Sequence, residues 1–253
     1  MNKQFSLGSN RVINDPFPLI IYDNFLTNVD NEEIYNGILK FKNFDRNKWG
    51  GRKQIRKESN NFNLLLKYNK IIDNLYNYFN SEDTFIFFLH QFKKLSLESK
   101  YNFEFDNKFL NYDKKYKHNT FSNLIKFFFP QKKTSYLEMD FSQAEQGYFR
   151  EPHHDKKTRL INFLIYFNDL EESDGGSLDI YEYKSIPDNF KTQPDEKLLI
   201  KKQSFIPKRK QLIIFLSNPI SIHGVNKILS DKKRIFAYGS YTLNKNVSWK
   251  LKD

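Results

Sequence analysis

His153 and Asp155 stand two residues apart, His223 follows in a later segment, and Arg234 comes after it with ten residues between. Two imidazoles and one carboxylate can cover one face of an octahedral ion and leave the opposite face open, a donor set suited to Fe(II). On an extended segment, residues i and i+2 point to the same side, so His153 and Asp155 can converge on one ion. An Arg shortly after the distal His is suited to the far carboxylate of a keto acid chelated at the open face. Guanidinium is planar, permanently charged and pairs with a carboxylate through two hydrogen bonds. Each part is weak alone: His-x-Asp is common by chance, and Arg234 could simply end the charged run that starts at Asp231. The weight lies in the combination, since three of the five histidines fall in these two segments and Arg is scarce. His154 should face away from the ion, as a neighbour of the site or a surface residue. His90 and His118 read as structural.

Such a site needs strands to hold it. The segments Tyr136–Phe141, Leu160–Phe167, Ser177–Tyr183, Leu198–Phe205, Lys210–Leu216 and Arg234–Leu243 are short, rich in β-branched and aromatic residues, and bounded by turn signals such as Asp174-Gly175-Gly176. Many short strands separated by turns argue for an antiparallel sandwich or barrel, and a jelly roll fits both the strand count and a metal site at its mouth. The first half differs. After a strand at Phe17–Tyr22, cap and acidic residues predict a helix from Asn31 to Lys40. A second is predicted from Asn60 to Phe79, with Leu64, Leu65, Tyr68, Ile71, Ile72, Leu75 and Phe79 at helical spacing. The apolar runs Phe85–Phe92 and Phe121–Phe129 suit either helix or buried strand. The expected fold is therefore mainly β with a helical N-terminal part (α+β): residues 1–133 as a helix-rich support region and residues 134–253 as the jelly-roll core. The polar stretch Tyr183–Lys197, with Pro187 and Pro194, is a candidate lid or a plain surface excursion.

The 253 residues are enough to bury a real core, and 26 Phe and 15 Tyr make it a Phe-rich one. There is no Cys, which excludes disulfides and thiolate ligands and leaves any metal to His, Asp or Glu. No apolar stretch is long enough to span a bilayer, and the N-terminal segment lacks the apolar core of a signal peptide, so a cytoplasmic protein is expected. The net charge of +11 invites a nucleic-acid reading, but the excess is Lys, with only 8 Arg among 41 basic residues. That skew matches an AT-biased coding sequence better than a phosphate-binding surface.

The stretch from Gly147 through His153 and Asp155, then Arg159–Asn168, Asp174–Tyr181, Pro207–Ser217, His223-Gly224-Val225 and Arg234, resembles the Fe(II)/2-oxoglutarate-dependent oxygenase superfamily, in particular its prolyl-hydroxylase-like branch. The resemblance covers residues 136–243. It implies a double-stranded β-helix, iron on His153, Asp155 and His223, and 2-oxoglutarate on Arg234, with O2 as the oxidant. It implies hydroxylation of a C–H bond on a prolyl, peptidyl or amino-acid-like substrate, because Asp155 stands where the related halogenases have a small residue. One departure concerns the position three residues before the first ligand. Prolyl hydroxylases commonly have a Tyr there, whereas this chain has Arg150. Tyr148, Tyr136 or Tyr238 could take over in holding 2-oxoglutarate, and Arg150 could meet an acidic substrate or form an ion pair with Glu151 or Asp140.

Two other readings use the same residues. An oxidative nucleic-acid demethylase would need a basic groove with a stacking aromatic. The candidate is the Lys48–Lys57 segment with Trp49, which otherwise reads as a solvated loop. A non-catalytic jelly-roll binding module would keep the fold alone, and the intact ligand set argues against it. The substrate itself, peptide or small molecule, is not readable from the sequence.

Overall fold

The computed structural model describes residues 5–48, 51–96, 103–105, 111–115, 133–187 and 189–251. Its helices are α1 (Asn28–Lys40), α2 (Asn60–Tyr68), α3 (Lys70–Phe79) and α4 (Glu82–Ser96). Helix α1 begins ahead of the expected Asn31 because Thr27 caps it: Thr27 Oγ1 accepts the Asp30 N–H at 3.0 Å. The single helix expected over 60–79 is two helices. Asn69 breaks it by turning extended, accepting the Ile72 N–H at 2.9 Å and donating to the Glu33 carbonyl at 3.0 Å. The run Phe85–Phe92 is helical, with Phe85, Phe88, Leu89, Phe92 and Leu95 on the buried face of α4. The run Phe121–Phe129 lies outside the described residues.

The strands of the first half are β1 (Arg11–Ile13), β2 (Leu19–Tyr22), β3 (Arg46–Lys48), β4 (Arg52–Arg56), β5 (Phe103–Phe105) and β6 (Asn111–Tyr112). Those of the second half are β7 (Thr134–Ala144), β8 (Arg150–His153), β9 (Arg159–Tyr166), β10 (Leu178–Tyr183), β11 (Leu199–Phe205), β12 (Leu212–Leu216), β13 (Ile222–Val225), β14 (Arg234–Leu243) and β15 (Trp249–Leu251). The large sheet runs β1-β2-β12-β9-β14-β7-β4-β3, with β6 alongside β7. The small sheet runs β11-β10-β13-β8, and β5 pairs with β15. Every pairing is antiparallel except β6 with β7. The large sheet thus draws strands from both sides of residue 133.

Alternation along the central strands sorts the core into two layers. Ile161, Phe163 and Ile165 of β9, with Leu212, Ile214 and Leu216 of β12 and Ile235 and Ala237 of β14, face the helices. The intervening Leu164, Tyr166, Ile213, Phe215 and Phe236 face the small sheet and pack on Leu178, Ile180 and Ile222. The helices lock onto the outer layer through Phe79, whose ring stacks on Phe163 at 4.1 Å between centroids. Gly239 makes room for that stack, because a Cβ there would lie 2.0 Å from the Phe163 ring.

Among the described residues of the basic segment 48–57, Lys48 and Arg52–Arg56 belong to the paired strands β3 and β4 on the edge of β7 rather than to a solvated loop. Arg52 turns inward to Asp140 at 2.7 Å, and Lys53 pairs with Glu145 at 2.6 Å. Trp49 lies outside the described residues. Among the described residues, no helix is long and apolar enough to cross a membrane.

Candidate metal centre

Three segments meet in the cleft between the sheets. His153 ends β8, Asp155 follows two residues on, ahead of the turn to β9, and His223 sits on the neighbouring β13. A register shift aligns them: His223 pairs with His153, whereas Val225 pairs with Arg150, so β8 carries one more residue than β13 across that step. Pro152 lies in this irregular stretch of an edge strand, where a missing N–H is tolerated. Gly224 lies opposite, where a Cβ would come within 2.8 Å of the Arg150 carbonyl oxygen.

The ligand atoms converge. One donor atom from each of His153, Asp155 and His223 lies within 4.8 Å of the others. The imidazole centroids of His153 and His223 are 4.5 Å apart, and His223 Nε2 lies 3.4 Å from Asp155 Oδ2. Each ring is oriented through its other nitrogen. His153 Nδ1 faces the Glu151 carbonyl at 2.8 Å, and His223 Nδ1 faces the Ser221 carbonyl at 3.1 Å. Carbonyls only accept, so both Nδ1 atoms carry the proton and both Nε2 atoms present a lone pair to the cleft, that of His153 facing Arg150 Nε at 3.4 Å. Burial pushes the His153 imidazole down to about 3, helped by nearby His223, and burial likewise lowers His223. Both rings are therefore neutral at physiological pH, the form that coordinates metal.

Asp155 is held from several sides. Arg159 Nη1 pairs with Oδ1, the Asn162 amide donates to Oδ2 at 2.7 Å, and the Tyr238 hydroxyl lies 3.3 Å from Oδ2. Burial alone would raise this carboxyl, but Arg159 and then the two imidazoles outweigh it and hold the group below the ordinary carboxylate range. A register shift between Tyr241 and Thr242 leaves Leu160 unmatched and brings Arg159 onto the same side as Asn162. Arg159 also donates to Tyr238 at 2.7 Å and lies over its ring. Burial raises the Tyr238 phenol well above its ordinary value, so it is a neutral donor.

Arg234 opens β14 and is 1% exposed. Its guanidinium lies over the rings of Phe236 and Tyr166, at 4.3 and 5.1 Å, and Nη2 donates to the Tyr166 hydroxyl at 3.0 Å. Its Nε has no partner, and among the described residues no carboxylate lies within ion-pair distance of it. A buried cation so placed is costly unless an anion completes it. Two imidazoles and a carboxylate on one side, with an unfinished guanidinium deeper between the sheets, are a donor set that fits a ferrous ion and a dicarboxylate keto acid.

Several expectations change in detail. Tyr238 does not accompany Arg234: its hydroxyl serves Asp155, Asn162 and Arg159. Tyr166, read from the sequence only as a residue of the strand Leu160–Phe167, is the phenol beside Arg234. Tyr148 is buried in the same apolar layer as Tyr166 and Phe236 and interacts with Arg52. Asp140, one candidate partner for Arg150, is taken by Arg52, while Arg150 Nε reaches His153 Nε2 at 3.4 Å. His154 faces away from the ligands, as alternation requires, but it is buried rather than on the surface. It bonds the Tyr183 hydroxyl at 2.9 Å and stacks on that ring. His90 is exposed on α4, and His118 lies outside the described residues.

Arg159 and Asn162 were legible in principle. An Asn inside the apolar strand 160–167, on the parity that faces the ligands, signals a polar interior.

Residues 139–241 match the model of the 2OG-Fe(II) oxygenase superfamily. A stretch of 99 residues is 34% identical to prolyl 3-hydroxylase OGFOD1 of Xenopus laevis, covering 38% of this chain and 18% of that protein. The chain thus spans under a fifth of the length of that curated relative. A prolyl 4-hydroxylase structure from Phytophthora capsici superposes with a TM-score of 0.52 at 13% identity, over 90% of this chain and 59% of that one. The viral collagen prolyl hydroxylase of Paramecium bursaria Chlorella virus-1 gives 0.48 at 16% identity, over 92% and 99%. Residues 139–241, which carry the three convergent ligands and Arg234, are thus similar to the 2OG-Fe(II) oxygenase superfamily.

Proposed function

We propose that this protein is an Fe(II)- and 2-oxoglutarate-dependent dioxygenase that hydroxylates a prolyl residue of a peptide. In this reading His153, Asp155 and His223 hold the iron through two Nε2 atoms and one carboxylate oxygen. Arg234, with Tyr166, holds the far carboxylate of 2-oxoglutarate. The observation that carries the reading is the pairing of a buried ligand triad with a buried, anion-seeking Arg234. When bound, the metal and cosubstrate supply the oxidising power: 2-oxoglutarate and O2 become succinate and CO2 as one oxygen atom enters a C–H bond. The protein's own residues do the rest. Arg159, Asn162 and Tyr238 fix the Asp155 carboxylate, the carbonyls of Glu151 and Ser221 fix the imidazole tautomers, and Tyr166 and Phe236 exclude water from Arg234.

The prolyl assignment is supported by the named activity of the Xenopus relative and of the Phytophthora neighbour. The test is succinate formation that requires both Fe(II) and 2-oxoglutarate and rises with a proline-containing peptide. His153→Ala should abolish it, and turnover that survives this change would refute the assignment.

A further inference from the structure

A cavity of about 310 Å3 opens beside Asp155, and its charge is one-sided. Lys156 and Lys157, from the turn after Asp155, and Lys191, from the facing loop, line its mouth. All three are exposed, and among the described residues no carboxylate lies within ion-pair distance of any of them. The one acid in the described wall is Asp155, which Arg159 already neutralises. A second cavity, of about 280 Å3 on the Tyr238 side, shares Lys156 with the first, but there the basic residues are interleaved with Glu58, Glu138 and Asp140, whereas Lys157 and Lys191 line the first alone. Clustered charge of one sign in a cleft attracts a ligand of the other sign.

The walls also bear on which anion. Binding of single-stranded nucleic acid uses open aromatic faces on which bases stack. The aromatic residues here are committed. The Phe190 ring meets His154 edge-on at 6.3 Å and packs at 5.9 Å on Tyr183. Trp249 is half-buried against both apolar layers. Lys is a compact, flexible point charge, which suits carboxylates that arrive in varied positions.

We infer that this cavity receives an acidic peptide, in which Asp or Glu side chains next to the hydroxylated residue pair with Lys156, Lys157 and Lys191. The inference rests on the peptide-hydroxylase reading and specifies its substrate.

The experiment is selection from a peptide library with a fixed central proline and randomised flanks. The bait is the full chain loaded with Fe(II) and 2-oxoglutarate without oxygen. Asp and Glu should be enriched in the flanks. An isolated acidic peptide should bind about tenfold tighter than its Asn/Gln counterpart at low salt, as three exposed ion pairs give together, with the advantage shrinking as salt rises. The triple variant Lys156→Gln, Lys157→Gln, Lys191→Gln should lose the enrichment while keeping its melting temperature, since all three side chains are exposed. Neutral or basic selected flanks, enrichment that persists in the triple variant, or a single-stranded oligonucleotide that outcompetes the acidic peptide would each overturn the inference. A calorimetric titration of 2-oxoglutarate into the full chain loaded with Fe(II) alone, also without oxygen, separates the two levels. Cosubstrate binding without acidic preference removes the inference alone, whereas absence of cosubstrate binding removes the reading beneath it as well.

Discussion

His223 Nε2 stands 3.4 Å from Asp155 Oδ2, while Arg159 holds the other oxygen of the same carboxylate. Asp155 would thus present one oxygen to an ion while the other is held by a cation. Arg159→Gln should leave the ligands in place but free that carboxylate to rotate. Iron affinity should fall by about 10–100-fold, the usual consequence of removing an outer partner of a metal ligand. Competition with a chelator of known affinity measures this. Unchanged affinity would show that Asn162 and Tyr238 suffice.

Arg234 gives an opposite pairing of stability and function. Its Nε is unpartnered, and its charge is buried against two rings. Arg234→Met should keep or raise the melting temperature of the protein without cosubstrate, because an unpaired buried charge is removed. The same change should weaken 2-oxoglutarate binding by about 100-fold or more, the scale of a lost buried charge pair. In the parent protein, saturating 2-oxoglutarate with metal should raise the melting temperature through its affinity for the native state alone. Differential scanning calorimetry reads all three values.

Acid should destabilise the metal-free protein earlier than carboxylates alone would allow. Burial lowers His153 to about 3 and His154 to about 4, against about 6.5 for an unfolded chain. An unfolded chain therefore takes up protons below about pH 6.5 that the native state refuses, and stability falls with pH. The contribution is complete above about pH 6.5 and is lost progressively toward the folded values near 4 and 3. A melting temperature that stays flat from pH 7.5 to pH 5 would contradict this.

Gly239→Ala tests how the helices are registered on the sheet. The new methyl group would collide with Phe163, which stacks on Phe79 at 4.1 Å. A cost of about 1–3 kcal/mol is expected, as for overpacking of a tight core, and denaturant unfolding measures it. A smaller second change, Phe163→Leu, should recover part of the loss by giving the methyl group space.

The ligand set was legible because metal chemistry restricts residue types, so His153, Asp155 and His223 are distinguishable even without a fold. Arg234 was singled out by its spacing to His223, and the structure buries it with its Nε unpartnered. Tyr238 shows where such reading stops. Alternation assigned it the right face, but four residues of strand are roughly 13 Å, so it sits toward the metal while Arg234 sits at the far end. Face is a local property, whereas depth in the cleft depends on the register of β14 against β9. Tyr166 was missed for the same reason, since nothing in its own strand says that it ends beside Arg234. In the first half, helical periodicity ran through Asn69 without interruption. The break comes from contacts of its side chain with α1 and α3, one of them to the distant Glu33 carbonyl, and these belong to the tertiary structure.

The outer rim of the small sheet has a consequence for how any guest chain can approach. The His154 N–H is taken by the Thr192 carbonyl at 2.8 Å, and Gln193 reaches Glu151 at 3.4 Å. The loop therefore fills the place beside β8 where an incoming strand would add itself by main-chain pairing. Recognition here must work through side chains, or begin by peeling Thr192 away.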